Sequence, residues 1–227
     1  MSETNTNLNI EKFRLHFITN QWSHLPIPKQ VEKAIQGGCK WIQLRLKNTP
    51  NETFLDTALE VKDICKRHQA AFIVNDQIEI AIKTDADGIH LGKEDIDPKK
   101  ARQLLGSKKI IGATANTLDE IVKAHEKGAD YIGLGPFRQT ATKQKLAPVL
   151  GLEGYKEIID KMTALDINLP VAAIGGITKE DIKDIITTGI SGVAVSSEIS
   201  HHPEPTEITR KLITNILKHM PYAQFRQ

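Results

Sequence analysis

Eight short apolar runs recur along this 227-residue chain, and each ends abruptly in glycine or in polar residues. The runs are about five residues long and rich in β-branched side chains, which is typical of strands buried on both faces of a parallel sheet. They are HFITN, WIQLR, FIVND, GIHLG, IIGAT, YIGLG, VAAIGG and GVAVSS, beginning at residues 16, 41, 72, 88, 110, 131, 171 and 192. This pattern constrains the fold most strongly, because each parallel strand needs a crossover before the next one can pair with it.

The segments between the runs have the three- and four-residue apolar spacing of helices. Residues 53–69 show this spacing most clearly. The expected helix caps and stops are Thr117 with Glu120 in capping-box spacing, Gly128, Thr178 and Gly189. The alternation predicts a single (β/α)₈ TIM barrel over residues 1–227, with residues 1–14 as a flexible N-terminal extension. An open, doubly wound sheet is the alternative.

The charge and hydropathy of the chain exclude several classes of partner. Its 30 basic and 28 acidic residues give a net charge of +2, so no overall field attracts a nucleic acid or an anionic membrane. No stretch approaches the ~20 continuous apolar residues of a membrane span, and the polar N-terminus lacks the apolar segment of a signal peptide. We therefore expect a cytoplasmic protein. Its two cysteines, Cys39 and Cys65, are far apart and are expected to be reduced packing residues.

The active site of such a barrel lies at the carboxyl ends of the strands, so the polar residues there indicate its task. At the second strand, Gln43, Arg45 and Lys47 alternate with Leu44 and Leu46. Because successive side chains of a strand point to opposite faces, we expect the three polar side chains to face the barrel mouth together.

Cations and carboxylates both occur at these strand ends. Arg45, Lys47 and Lys143 are suited to a substrate that bears a phosphate or diphosphate. Asp76 and Asp95 would repel that substrate unless a divalent cation lay between them, and Mg²⁺ binds through one or two carboxylates plus phosphate oxygens. The sequence therefore predicts a diphosphate site with Mg²⁺.

The last two strands indicate a second phosphate site. Gly176 follows the seventh strand, and Ser196 with Ser197 opens a helix after the eighth, which is where this fold often binds phosphate. No Ser-His-Asp or Cys-His arrangement is evident, and His90 is interpreted as a hydrogen-bonded core histidine. The expected chemistry is therefore a displacement, in which diphosphate leaves and a second bound group takes its place.

Six motifs, in order and spacing, resemble the thiamin phosphate synthase family: QLRLK, FIVND, ADGIHLGKED, GADYIGLGP, TATK and AIGGI. The resemblance implies a transferase that joins 4-amino-5-hydroxymethyl-2-methylpyrimidine diphosphate to 4-methyl-5-(2-phosphoethyl)thiazole, or to its carboxylated form. It implies thiamin phosphate and diphosphate as products, and a dissociative mechanism assisted by Mg²⁺. The oligomeric state stays open, with a homodimer among the options.

The resemblance also implies a role for each matching residue. Asp76 and Asp95 would bind Mg²⁺, while Arg45, Lys47 and Lys143 would act catalytically on the diphosphate. The implied substrate-binding residues are Gln43 and Thr114 for the pyrimidine, Arg45, Lys47, Asn75 and Lys143 for the diphosphate, Thr140 and Thr142 for the thiazole, and Gly176, Ser196 and Ser197 for its phosphate.

Several residues depart from the usual pattern of that family, and two other functions stay open. The departures are Asn20 for Asp, Leu46 for Glu, Lys93 for Gln, Thr114 for Ser and Asn116 for His. Lys93 adds a cation near Asp95. One alternative is a thiazole tautomerase of the same superfamily, whose general-acid histidine corresponds to Asn116. The other is a non-catalytic phosphate-binding barrel.

Overall fold

The computed structural model describes residues 8–139 and 148–220, and eight parallel strands in this part of the chain form one closed barrel. Each strand pairs with the next in chain order, and β8 pairs with β1 through the register Phe17 to Val195. The strands are β1 (Leu15–Ile18), β2 (Trp41–Leu44), β3 (Ala71–Asn75), β4 (Gly88–Leu91), β5 (Ile110–Ala115), β6 (Tyr131–Leu134), β7 (Val171–Ile174) and β8 (Gly192–Val195). The closed order confirms the predicted TIM barrel and excludes the open sheet.

One helix precedes β1, and the others come after strands and cover the outside of the barrel. They are α1 (Ile10–Phe13), α2 (Ile27–Gln36), α3 (Asn51–Arg67), α4 (Ile78–Lys83), α5 (Pro98–Leu105), α6 (Leu118–Glu126), α7 (Gly151–Ala164), α8 (Ile182–Thr187), α9 (Ser197–Ser200) and α10 (Pro205–His219). A 3₁₀ turn, Lys179–Asp181, leads into α8. Across residues 8–139 and 148–220, no helix combines the length and apolarity that crossing a membrane requires.

Helix boundaries follow the predicted capping residues, with one difference. The Thr117 side chain accepts a hydrogen bond from the Glu120 amide, and Gly128 beyond the end of α6 has a φ of +78°. The Glu120 carboxylate, however, accepts from the amide of Asn116 at 2.6 Å rather than from Thr117. Thr178 caps the 3₁₀ turn before α8, and Gly189 after α8 has a φ of +95°. Side chains of this kind satisfy the amides that a helix start leaves unpaired.

Buried side chains form two clusters, one on each side of the strands. The larger cluster lies between the barrel wall and the helices and includes Leu44, as its alternation with Gln43 predicts. The smaller cluster fills the inside of the barrel near the strand starts; it consists of Phe13, Trp41, Ala71, Ile73, Ile110, Tyr131 and Ala172. Side chains therefore fill the amino-terminal half of the barrel, as is usual in this fold.

The segment before β1 closes the amino-terminal end of the barrel. Asn9 caps α1 by accepting hydrogen bonds from two amides, and Phe13 is fully buried against the rings of His16, Trp41 and Tyr131. This differs from the flexible extension expected over residues 1–14, because burial of one aromatic ring holds the end of that segment in the core. Residues 1–7 lie outside the described part of the chain. We propose that the barrel is the single domain of residues 1–227.

Candidate active site

The closed barrel brings ten of the predicted site residues to its carboxyl-terminal end. They lie on or directly after six different strands: Gln43, Arg45, Lys47, Asn75, Asp76, Asp95, Thr114, Gly176, Ser196 and Ser197. Thr140, Thr142 and Lys143 lie outside the described residues. The described part of this end is a rim of polar side chains above the apolar interior.

Two carboxylates converge above the loop that follows β4. The Asp95 carboxylate accepts a hydrogen bond of 2.6 Å from the Gly92 amide. A Cβ atom at Gly92 would lie 3.0 Å from Asp95 Oδ2 and 3.9 Å from Asp76 Oδ1, so glycine gives both side chains room. Burial, and then the neighbouring Asp76, raises the pKa of Asp95 above its usual value. Two carboxylates this close repel each other unless a proton or a cation lies between them.

Asp76 is held in position by its backbone and by a lysine. Its φ of +64° is in the left-handed region, which Asp and Asn adopt more readily than most residues. Its carboxylate forms an ion pair with the Lys47 ammonium. Lys47 therefore partly neutralises the carboxylate pair on the side facing β2.

The donor set at this point fits Mg²⁺. Carboxylate oxygens are ligands that Mg²⁺ prefers, and it takes only one or two of them beside waters and phosphate oxygens. Among residues 8–139 and 148–220, no group of three or more His, Cys, Asp or Glu side chains could hold a metal. Asp76 and Asp95 would thus supply the protein ligands, and the substrate and water would supply the rest.

The two cations after β2 rest on a backbone that β1 holds in place. The Arg45 amide donates to Thr19 Oγ1 at 2.9 Å, and the Lys47 amide donates to Gln21 Oε1 at 2.6 Å. Gln21 Nε2 donates back to the Lys47 carbonyl at 3.0 Å. Burial lowers the pKa of Arg45, and the charge of Asp76 acts in the opposite direction. Arg45 is therefore a partly desolvated cation beside the carboxylates, where its charge acts more strongly than in water.

Gln43 and Asn75 form a buried amide pair below the charged rim. Gln43 Nε2 donates to Asn75 Oδ1 at 2.7 Å, and the two residues are 3% and 7% exposed. In this arrangement Gln43 Oε1 stays available as an acceptor and the Asn75 amide group as a donor. Gln43 Oε1 can thus accept a hydrogen bond from a polar ring, and the Asn75 amide group can donate one to an anion.

The β7 and β8 ends form the opposite part of the rim. Gly175 and Gly176 have φ values of +105° and +70°, and a Cβ atom at Gly175 would lie 2.9 Å from Pro136. Ser196 is the N-cap residue of the four-residue α9, and Ser197 Oγ lies 3.5 Å from Asn20 Nδ2. Two consecutive glycines in the left-handed region bring backbone close to whatever binds there.

Arg138 stabilises this part of the rim and was not among the residues predicted from the sequence. Its guanidinium donates to the Gly176 carbonyl at 3.0 Å and to Asp181 Oδ1 at 2.6 Å. The same guanidinium lies 4.9 Å from the centre of the Phe137 ring. A sequence signal for it existed: Arg138 lies two residues after Pro136, in the same segment as Thr140, Thr142 and Lys143, which were predicted to be site residues.

A separate ion pair holds Lys93 away from the carboxylates. The Lys93 ammonium pairs with Glu120, whose other oxygen accepts from the Asn116 amide. Asn116 Nδ2 in turn donates to the Gly135 carbonyl. Two of the departures from the family pattern therefore belong to one surface network that joins the ends of β4, β5 and β6.

His90 is a hydrogen-bonded residue of the barrel interior, as predicted. It is 5% exposed, and its two ring nitrogens lie 2.9 Å from the Tyr131 hydroxyl and 3.0 Å from Thr114 Oγ1. Thr114 lies near the carboxyl end of β5 and is partly exposed. The link between Thr114 and Tyr131 was not visible in the sequence, because it joins side chains from three strands.

Comparison with known proteins identifies the family. The family model described as thiamine monophosphate synthase matches residues 15–199. A thiamine-phosphate synthase from Bacteroides thetaiotaomicron is 48% identical over 199 residues, which cover 88% of this chain and 95% of that protein. One from Clostridium novyi is 38% identical over 189 residues, covering 82% and 90%. These matches span nearly all of the barrel.

Solved structures agree. A thiamine phosphate pyrophosphorylase from Pyrococcus furiosus superposes with a TM-score of 0.84 at 32% identity, covering 93% of this chain and 99% of that one. A structure described as native KDPGal, with a TM-score of 0.65 at 17% identity, shares the fold alone. The match over residues 15–199, the identity to these relatives and the superposition together show that the chain is a transferase and belongs to the thiamine monophosphate synthase family.

Proposed function

We propose that the protein joins 4-amino-5-hydroxymethyl-2-methylpyrimidine diphosphate to 4-methyl-5-(2-phosphoethyl)thiazole, or to its carboxylated form with loss of carbon dioxide, and releases diphosphate. The observation that carries this proposal is the pair Asp76 and Asp95, set beside Arg45 and Lys47 at the barrel mouth. Carboxylates and cations on one rim are suited to a metal-bound diphosphate and to few other ligands.

The proposed chemistry is the departure of a leaving group. The bond between the pyrimidine methylene carbon and the diphosphate oxygen breaks, and its electron pair leaves with the diphosphate. Arg45, Lys47 and Lys143 stabilise the charge that develops there, and Asn75 donates to the same group. Mg²⁺, held by Asp76 and Asp95, would neutralise the diphosphate when bound.

The second half of the reaction forms a carbon–nitrogen bond. The lone pair of the thiazole nitrogen attacks the methylene cation, which the electron-rich aminopyrimidine stabilises. That nitrogen has no proton to lose, so the step requires no general base. We place the pyrimidine against Gln43 and Thr114, the thiazole beside Thr140 and Thr142, and its phosphate at Gly176, Ser196 and Ser197.

Activity with both substrates tests the proposal directly. The protein with both substrates and Mg²⁺ should release thiamin phosphate and diphosphate in equal amounts, and EDTA should abolish the release until Mg²⁺ is restored. Conversion of a thiazole tautomer without the pyrimidine diphosphate would instead establish the tautomerase. Asn116 argues against the tautomerase, which needs a general acid at this position. The Asn116 side-chain amide donates to the Gly135 carbonyl and has no acidic proton.

The metal assignment can be tested with a matched pair of variants. Asp76→Asn keeps the left-handed backbone and the shape of the side chain but removes the charge, so we expect a loss of activity of about 100-fold or more. Asp85→Asn is the control, since Asp85 also has a positive φ, of 47°, and pairs with a lysine, but lies before β4 at the opposite end of the barrel. Equal activities of the two variants at saturating Mg²⁺ would overturn the assignment.

The remaining expectations about the protein's setting stay proposals. We propose a cytoplasmic location and small-molecule substrates without a nucleic-acid or membrane partner. Assembly as a homodimer is a further option, which sedimentation of the purified protein would decide.

A further inference from the structure

A column of hydrogen-bonded side chains runs through the barrel interior to the mouth. The Tyr131 hydroxyl lies 2.9 Å from His90 Nδ1, and His90 Nε2 lies 3.0 Å from Thr114 Oγ1. Tyr131 is fully buried at the start of β6, His90 is 5% exposed, and Thr114 is partly exposed near the end of β5. The column thus connects the closed end of the barrel with a residue that we place against the pyrimidine.

Two glycines within strands make room for the rings of this column. A Cβ atom at Gly133 would lie 2.8 Å from His90 Cε1, and one at Gly112 would lie 2.1 Å from Tyr131 Cζ. Real Cβ atoms do not approach other atoms this closely, so any other residue at these positions would displace the rings. Glycine inside a strand weakens the strand and often marks such a close approach. The fold therefore accepts two weak strand positions in order to hold His90 and Tyr131 in place.

The chemistry of the neighbouring groups determines which atom donates and which accepts in each hydrogen bond of the column, and we call this order the direction of the column. Burial raises the pKa of Tyr131 well above its usual value, so its hydroxyl keeps its proton. The buried Nε1 of Trp41 has no hydrogen-bond partner within the described part of the chain, and an indole N–H can only donate, so Trp41 is not an acceptor for that proton. Among residues 8–139 and 148–220, the acceptor in hydrogen-bond range of the Tyr131 proton is His90 Nδ1. His90 then carries its proton on Nε2 and donates it to Thr114 Oγ1.

We propose that His90 and Tyr131 are positioning residues that turn the Thr114 hydroxyl into a hydrogen-bond donor towards the barrel mouth. Once Thr114 Oγ1 accepts from His90, its own proton points away from the column. This inference rests on the proposed function, because it assigns the acceptor of that proton to a ring nitrogen of the aminopyrimidine.

The direction also gives the site a basis for specificity. Gln43 Nε2 donates to Asn75, which leaves Gln43 Oε1 as an acceptor. An acceptor from Gln43 and a donor from Thr114 complement the amino group and the ring nitrogen of an aminopyrimidine. A pyrimidine with a keto group and a ring N–H presents the reverse pattern, and a buried site rejects it because its polar groups stay unpaired.

Imidazole NMR tests the direction without reference to activity. In wild-type protein, two-bond ¹⁵N–¹H correlations should show His90 protonated on Nε2, with its signals identified by their absence in His90→Gln. Tyr131→Phe should shift His90 towards a mixture of tautomers. Tyr155→Phe is the matched control, because Tyr155 is also fully buried and its hydroxyl donates to the Leu134 carbonyl at 3.1 Å, outside the column. A proton on Nδ1 in the wild type would overturn the proposal.

A double-mutant cycle tests whether Tyr131 acts through Thr114. Tyr131→Phe and Thr114→Val should each raise the KM for the pyrimidine diphosphate roughly five- to tenfold, the size of one hydrogen bond, without changing the KM for the thiazole phosphate. The double variant should be no worse than Thr114→Val alone, and in Thr114→Ser the effect of Tyr131→Phe should persist. Losses that multiply would show independent structural effects and overturn the coupling.

The two experiments also separate this inference from the proposed function. If the wild-type protein does not join the two substrates, the proposed function fails, while the His90 tautomer still decides whether the column has the proposed direction. If the protein is active and the tautomer is reversed, the proposed function stands and the positioning role fails.

Discussion

Lys47 is the residue at which the opposite charges of the candidate site meet. Its ammonium pairs with Asp76, while the backbone on either side of it is held by Gln21. A metal bound by Asp76 would compete with Lys47 for the same oxygens, and the freed ammonium would then be available to the diphosphate. In the proposed reaction Lys47 would pair with the carboxylate before the substrate binds and with the diphosphate afterwards, a change that suits a flexible point charge better than a rigid arginine.

A second residue, Glu120, controls how strongly the charge of Lys93 acts on the carboxylates of Asp76 and Asp95. Because Glu120 holds Lys93 through an ion pair, Glu120→Gln should release a cation near Asp95 and weaken Mg²⁺ binding. We expect the Mg²⁺ concentration for half-maximal activity to rise about two- to fivefold, the size of an exposed charge interaction. A titration of activity with Mg²⁺ measures this.

Lys93→Gln is the control for that titration. In the Glu120→Gln background it should restore the wild-type Mg²⁺ requirement, and in the wild-type background it should change little. An unrestored double variant would mean that Glu120 acts through Asn116 instead.

At the scale of elements, a buried carboxylate joins α5 to the strands beside it. Asp130 accepts from Arg102 Nη2 at 2.6 Å and from the Ile111 amide at 2.7 Å, and its side chain is 6% exposed. Asp130→Asn leaves the arginine without its charged partner, so we expect the free energy of unfolding to fall by about 2–4 kcal/mol. Urea unfolding measures this change.

An exposed ion pair within one helix provides the comparison. Arg67 and Asp63 of α3 have side chains that are 58% and 68% exposed, and Asp63→Asn should cost less than about 0.5 kcal/mol. A similar loss in both variants would show that the position of Asp130 between elements is unimportant.

Most of these elements could be predicted from the sequence, because their signals are local. A run such as FIVND is a strand signal whatever surrounds it, and Gly128 and Gly189 stop their helices through their own backbone freedom. The short α1 was not predicted, because four residues carry no periodicity and its stability comes from burying Phe13. The hydrogen bond from the Asn116 amide to Glu120 was also missed, since capping-box spacing indicates the Thr117 amide instead.

At the scale of the whole molecule, a buried histidine links stability to pH. Burial, and then the neighbouring His90, lowers the pKa of His16 well below its usual value, whereas an unfolded histidine titrates near 6.5. Below about pH 6.5 the unfolded chain binds a proton that the native state does not. As the pH is lowered below about 6.5, the free energy of unfolding should therefore decrease. This group contributes a decrease of up to about 1.4 kcal/mol per pH unit, until the pH reaches the lowered pKa of His16 in the native state.

Unfolding by urea between pH 7 and pH 5 measures this contribution. His16→Gln should remove it and give a shallower pH dependence. Equal slopes in the wild type and His16→Gln would show that His16 is not the group responsible.

At this scale, the fold topology predicts which residues of the candidate site lie at the same end of the barrel, but not which of them are in contact. Once eight strands close in order, Gln43, Asp76, Asp95 and Gly176 must share one end, and the sequence alone implied that. The contacts between them could not be predicted in the same way. The Lys47–Asp76 pair and the column below Thr114 depend on ring positions and loop paths that three or more strands set together.

The aromatic layer around Phe13 closes the amino-terminal end of the barrel, so the described part of the barrel is open only at its carboxyl-terminal end. Because Phe13, His16, Trp41 and Tyr131 close the amino-terminal end, the substrates and products of the proposed reaction would all pass through the carboxyl-terminal end. Gln43 lies buried below the rim, whereas Gly176 and Ser197 are exposed on it. For the proposed reaction, a thiazole seated first would obstruct the way to the deeper position. If the proposed subsites are right, we therefore expect the pyrimidine diphosphate to bind before the thiazole phosphate.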